Sequence, residues 1–291
     1  MAPRAVFAGS PTRAALLAAA VVLLAACAAS GGLQTTPERI AAIVASPDRS
    51  AADRVNDVRR KPADMLAFIG ANPGMVALDV SAARGYTSEL LARAVGPMGK
   101  VYAQNAPRDA ARAPPAQAEG AAAPPVAPAS AANAVPPAPT LVERAAALPQ
   151  IVPVTRAFAS PVPAEVSNNG LDLVTLIFNY HDFGHMGVDR AQMNRAIFDA
   201  LKPGGVYVIA DHAGRDGTGI SESGTLHRVE EAFVIREVEA SGMKLAARGD
   251  FLRNPEDPRD RNTPLPAMAK DEFVLKFVKP RQQVAGDGGG Y

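Results

Sequence analysis

Two short stretches carry side chains fit for proton transfer: His181 and Asp182 within Asn179-Tyr180-His181-Asp182, and the pair Asp211-His212. An imidazole with an ordinary pKa near ~6.5 takes or gives a proton at neutral pH, and a neighbouring carboxylate can orient it. His181, Asp182 and His212 are therefore the candidate catalytic residues. The bland alternative makes Asp211 a turn cap and His212 a solvated loop residue. All four histidines lie between His181 and His227, and His185 and His227 read as incidental. A third stretch, Val76-Ala77-Leu78-Asp79-Val80-Ser81-Ala82-Ala83-Arg84-Gly85-Tyr86, runs from apolar residues into a small-residue turn. Its glycine suits a backbone that must bend sharply or approach a ligand closely. Asp79 orients that turn, by its local hydrogen bonds or toward a ligand.

The elements that must hold these groups follow from periodicity. Met75 to Val80, Lys100 to Gln104, Ile151 to Thr155, Leu173 to Phe178 and Val206 to Ala210 are apolar runs of strand length. The run Leu173 to Phe178 is apolar on both alternating faces, as in a strand buried on both sides. Between them lie helical patterns over Tyr86 to Val95, Leu141 to Leu148, about Val188 to Leu201, and about Ser223 to Ser241. Two more helical segments, Pro37 to Ser46 and Asp48 to Gly70, precede the first strand; Thr36-Pro37 is a cap and first-turn pair, and Pro62 breaks the second segment. Alternating strands and helices predict right-handed crossovers and a mostly parallel sheet covered on both faces. The last two strands, Lys244 to Phe251 and Phe273 to Val278, have no helix between them and should pair antiparallel at an edge.

Three segments together resemble class I S-adenosylmethionine-dependent methyltransferases. Val76 to Tyr86 looks like the family's strand-turn-helix motif, Asp172-Leu173-Val174-Thr175-Leu176-Ile177-Phe178 like its fourth strand, and Leu201-Lys202-Pro203-Gly204-Gly205-Val206-Tyr207-Val208-Ile209 like the entry to its fifth. The likeness runs from about Arg59 to Pro280, and with the His and Asp residues after strands four and five it is similar to a little-characterised bacterial subgroup. It implies a doubly wound, seven-stranded, mostly parallel α/β sheet with an antiparallel last strand, the Rossmann-like methyltransferase fold. It also implies S-adenosylmethionine as cofactor, held by Asp79, Ser81, Ala83 and Gly85 at the turn and by Asn105 at the end of strand two. Ser81 and Ala83 stand where the family has glycines, and Asn105 where it has an acidic residue for the ribose. An amide accepts hydrogen bonds only through its oxygen, which weakens a two-point ribose grip. Catechol-type members would hold magnesium with Asp182 and Asp211, and His212 in place of an oxygen ligand. Magnesium prefers oxygen, so no metal site is assigned.

Charge balance limits the partners. With 30 Lys+Arg against 29 Asp+Glu the chain carries a net charge of +1, which excludes a strongly basic nucleic-acid binder. The single cysteine, Cys27, excludes a disulfide framework and a Cys-cluster metal site. It directly follows the apolar run Ala14 to Ala26, which is shorter than the roughly 20 residues of a membrane span and suits a secretory signal. Small residues followed by that cysteine resemble a bacterial lipobox. The implied organisation is a signal peptide over 1–26, lipidation at Cys27, a linker over 27–36, a first half-domain over 37–105, an Ala/Pro-rich disordered insertion over 106–139, a second half-domain over 140–280 and a loose tail over 281–291. The expected place is the cell envelope, with a lipid anchor in the outer membrane facing the periplasm. The expected function is methyl transfer to a small-molecule acceptor; the alternative is a catalytically silent, envelope-anchored binding module.

Overall fold

The computed structural model describes residues 35–107, 135–264 and 267–281. Cys27 and the signal region, residues 108–134 of the insertion, and the tail beyond 281 lie outside them. Three helices come first: α1 (Pro37–Ala45), α2 (Ala51–Arg60) and α3 (Pro62–Ile69). Thr36 caps α1 by accepting from the Arg39 N–H, with Pro37 in the first turn. The break between α2 and α3 falls at Lys61, which adopts φ 42° before Pro62. A proline disfavours helical backbone in the residue before it, so the chain must restart there.

The alternation of strands and helices continues as β1 (Val76–Val80), α4 (Tyr86–Val95), β2 (Lys100–Asn105), α5 (Leu141–Ala147), β3 (Ile151–Thr155) and β4 (Leu171–Ile177). It then runs through α6 (Asp182–His185), α7 (Arg190–Ala200), β5 (Leu201–His212), α8 (Glu231–Glu239), β6 (Lys244–Gly249) and β7 (Glu272–Val278). The seven strands are ordered β3-β2-β1-β4-β5-β7-β6. β1 to β5 are parallel, and β7 runs antiparallel to both β5 and β6. This is the doubly wound, Rossmann-like methyltransferase fold.

Strand period divides the core in two. Ala77, Val101, Leu173 and Val208 point to the face covered by α1, α3 and α4, where Ile40, Leu66, Ile69 and Leu91 meet them. Leu78, Tyr102, Val174 and Ile209 point the other way, onto Met193 and Ile197 of α7 and Val234 and Val238 of α8. Both faces are covered, so β4 reads as a nearly continuous apolar run from Leu173, broken only by the buried Thr175.

Three elements depart from expectation. The helix expected from Ser223 starts only at Glu231, because 223–230 form a loop whose Val229 makes a bridge to Ala213. Pro203-Gly204-Gly205 lies within β5: Leu201 pairs with Leu171 and Val206 with Leu173, so the residues between bulge outward, with Gly204 at φ 85°. Proline in a central strand is tolerated at such a bulge. The short helix α6, directly after β4, was not foreseen.

Candidate active site

In a doubly wound sheet, ligands bind beyond the carboxyl ends of the strands where the strand order reverses, here between β1 and β4. His181, Asp182, Asp211 and His212 do gather at that edge, but three of them are interior groups rather than rim groups: His181, Asp211 and His212 are at most 4% exposed. Asp211 organises them. One of its oxygens accepts from the His181 backbone N–H at 2.7 Å; the other meets His181 Nδ1 at 2.6 Å and accepts from the His212 N–H at 2.7 Å. The other ring nitrogen, His181 Nε2, lies 3.2 Å from Asp182 Oδ1.

Opposing charges and burial set the ionisation of His181. Burial disfavours its charged form, but Asp211 and Asp182 outweigh that and push the ring up to about 10. At neutral pH His181 therefore holds its proton and donates two hydrogen bonds, rather than waiting as a neutral base. Asp182 is raised by burial, yet its bonds from His181 and His227 win and hold it well below the usual carboxylate range. His212, expected as a solvated residue or a second catalytic group, is buried against the Phe178 ring with centroids 5.5 Å apart. Burial pushes it well below the ordinary histidine range, helped by Lys270. It is a neutral interior group, with Nδ1 3.0 Å from Glu272. Burial likewise raises Glu272 to about 7, against the pull of Arg59, whose guanidinium lies 2.6 Å away.

The turn after β1 is built differently from a ligand cradle. Ser81 and Ala83 adopt φ 58° and 50°, the left-handed region that glycines would occupy without strain. Their N–H groups are already bonded: Ser81 to Gln104 Oε1 at 3.0 Å, Ala83 to Asn105 Oδ1 at 2.8 Å. Asn105 also donates to the Ala83 carbonyl at 3.1 Å, so its amide is spent on the turn and not offered to a ribose. Asp79 accepts from Ser88 at 2.6 Å and Thr175 at 2.7 Å, tying β1 to α4 and β4; burial raises it to about 6 despite those bonds. A Cβ on Gly85 would stand 2.8 Å from Leu141 Cδ1 and 3.0 Å from Arg144 Cδ, so that glycine serves the packing of α5.

Arg59 and Arg60 of α2 both lie over the Phe178 ring beside the candidate site. The Arg60 guanidinium lies 4.9 Å from the Tyr86 ring centroid and 5.0 Å from that of Phe178, and burial lowers it to about 10. With Pro62, Met65, Leu66 and Ile69 it closes the crevice beside Tyr86 and Phe178 to about 10 Å³. That is at or below the room one water needs, and a drug-sized ligand takes roughly 300 Å³ or more. In this arrangement the crevice is closed and the turn's Ser81 and Ala83 N–H groups are bonded within the chain.

Of the residues a magnesium set would use, Asp211 accepts N–H bonds on both oxygens and His212 Nδ1 faces Glu272. The loop 254–261 is anchored: Asp257 is buried and pairs with the fully buried Arg228 at 2.9 Å. His227 and His185 were missed. His227 Nδ1 is 3.2 Å from Asp182 Oδ1, and its ring lies 5.6 Å from that of His181 and 5.7 Å from that of His185. The clustering of all four histidines within 181–227 was the available signal.

Similar solved structures support the fold. A chain of a methyltransferase and activator complex from Haloferax volcanii matches with TM-score 0.51 at 14% identity, over 80% of this chain and 95% of its own. A S-adenosylmethionine-dependent methyltransferase from Aquifex aeolicus matches with TM-score 0.49 at 17% identity, over 84% and 98%. One from Mesorhizobium loti matches with TM-score 0.47 at 13% identity, over 75% and 96%. No family model matches the sequence, and no curated protein does. At 14% identity the likeness to the Haloferax volcanii chain shows the fold alone.

Proposed function

We propose that this chain is a S-adenosylmethionine-dependent methyltransferase of the bacterial subgroup it resembles, acting on a small nucleophile at the His181 centre. One observation carries this reading: a buried, carboxylate-oriented imidazole stands at the C-terminal ends of β4 and β5, where this fold places reacting groups. Perturbed ionisable groups buried at such a position concentrate at functional sites. Asp211 fixes the ring, and the Nε2–H faces Asp182 and the half-open side toward His227. Both ring N–H groups are already directed at carboxylates, so an acceptor gripped there would take the place of Asp182 at Nε2; an acceptor that arrives ionised needs no base. Because the crevice is closed, Arg60 and the α2–α3 segment must withdraw before a donor can enter.

The closed crevice favours a second reading, a binding module that keeps the fold without the donor site. Calorimetric titration with S-adenosylmethionine separates the two. The enzyme reading expects saturable binding that tightens in Arg60→Ala, which removes the guanidinium from between Tyr86 and Phe178, and transfer of labelled methyl to pooled small metabolites. A folded parent and a folded Arg60→Ala that both fail to bind leave the binding module. The lipobox-like residues before Cys27 support an envelope anchor, and mass spectrometry of membrane-extracted protein tests it: a mature N-terminus elsewhere sinks that proposal.

A further inference from the structure

We propose that His181, Asp182 and His227 form a binding site for a divalent transition-metal ion of the zinc type, with an open coordination position toward solvent. The geometry points there. His181 Nε2 and His227 Nδ1 each lie 3.2 Å from the same oxygen, Asp182 Oδ1, and one ligand atom from each of the three residues lies within 4.8 Å of the others. A tetrahedral ion with bonds of ~2.0 Å to nitrogen and oxygen has ligand-to-ligand edges of ~3.3 Å. Two of the three edges are thus already at coordination distance, and small side-chain rotations bring in the third.

The surroundings are those of a built site. His181 Nδ1 faces Asp211 Oδ1 at 2.6 Å, the carboxylate-to-histidine arrangement that fixes the ring and makes the other nitrogen a better ligand. Asp182 Oδ2 accepts from Asn179 Nδ2 at 3.1 Å, which holds the carboxylate while Oδ1 points at the two histidines. His227 sits at φ 50° between well-held neighbours. Arg228 beside it is fully buried, bonded to the Ala213 carbonyl at 3.0 Å and paired with Asp257, and Val229 bridges to Ala213. The loop therefore presents the imidazole from a fixed base. Beneath the site, Ser223 Oγ donates to the His181 carbonyl and meets His185 Nδ1 at 3.0 Å, which ties the loop after β5 to the short helix α6.

Two imidazoles and one carboxylate suit zinc and its neighbours, whereas magnesium prefers an all-oxygen set. On coordination the ion replaces the His181 Nε2 proton, which leaves to solvent. His181 is buried, but Asp182 and His227 are part-exposed, so the remaining position faces water. A water or an oxygen-bearing small ligand would take it. The proposal does not depend on whether a methyl donor binds, because none of the three ligands lines the crevice beside Tyr86.

The test uses the full chain, stripped with chelator and titrated with Zn²⁺ and Mg²⁺ by calorimetry, and with Co²⁺ by visible absorption. Expected are one high-affinity zinc per chain, visible Co²⁺ bands of a low-coordinate nitrogen and oxygen site, and no competition from Mg²⁺. His227→Ala and Asp182→Asn should each weaken zinc on the order of 100-fold or more, at least the loss typical of removing an outer-shell partner, with unchanged circular dichroism. No zinc uptake by the folded parent, zinc affinity unmoved in both variants, or effective competition by Mg²⁺ would each overturn the site.

Discussion

Asp211→Asn is the sharpest test of how the His181 centre is held together. Asp211 is fully buried and accepts three N–H groups, two of them from His181. An asparagine keeps the shape, removes the charge, and turns one accepting oxygen into an NH₂ that faces a donor. Losing one partner of a buried charged pair costs about 3–5 kcal/mol. The raised pKa gives an independent scale: from an ordinary 6.5 to about 10, the net stabilisation of the imidazolium, Asp211 and Asp182 less the cost of burial, is about 5 kcal/mol. The larger part belongs to Asp211, the leading favourable cause, so a loss of about 3 kcal/mol is expected near neutral pH. The pH dependence has a definite sign. A histidine whose folded pKa is raised contributes stability that is fully present below ~6.5 and lost as pH rises through about 10. The gap between parent and variant should therefore be widest at pH 6 and shrink toward pH 10. Urea unfolding of both proteins at pH 6, 8 and 10 measures it, with unchanged m-values showing that the unfolded states are comparable. A gap below about 1 kcal/mol at pH 6, or one that does not narrow with pH, would refute the ion-pair account.

Three further outcomes follow from the structure. Gly85→Ala should cost about 2–5 kcal/mol in thermal or urea unfolding, because φ 88° is strained for alanine by about 1–2 kcal/mol and its Cβ overpacks Leu141 and Arg144 by about 1–3 more. Arg144→Met should cost about 3–5 kcal/mol, since it strands Asp53, 2.8 Å away and 2% exposed, and takes a partner from Glu89; a loss under 1 kcal/mol would mean the triad is not formed. Ser81→Gly with Ala83→Gly should leave stability within about 1 kcal/mol of the parent, relief of left-handed strain offsetting the glycines' extra unfolded-state entropy. The same double variant should bind S-adenosylmethionine more tightly under the enzyme reading, and a folded variant that binds no better would remove the turn from the donor site.

What local sequence determines here is the set of elements and their caps. Thr36-Pro37 starts α1, Pro62 separates α2 from α3, and the apolar runs become strands at their predicted places because period and turn chemistry act within a few residues. His181 and Asp182 were legible as chemistry, and the antiparallel edge followed from the missing helix between the last strands. Tertiary structure alone decided what those side chains do. Asn105 meets Ala83 across 22 positions, His227 meets Asp182 across 45, and Arg59 reaches Glu272 across 213. Such pairings arise from how the sheet stacks its strand ends, which no local period encodes. Burial also decides ionisation: the same residue type is raised to about 10 at His181, where Asp211 and Asp182 outweigh desolvation, and pushed well down at His212, where desolvation and the nearby positive charges of Lys270, His181 and Arg59 outweigh Asp211.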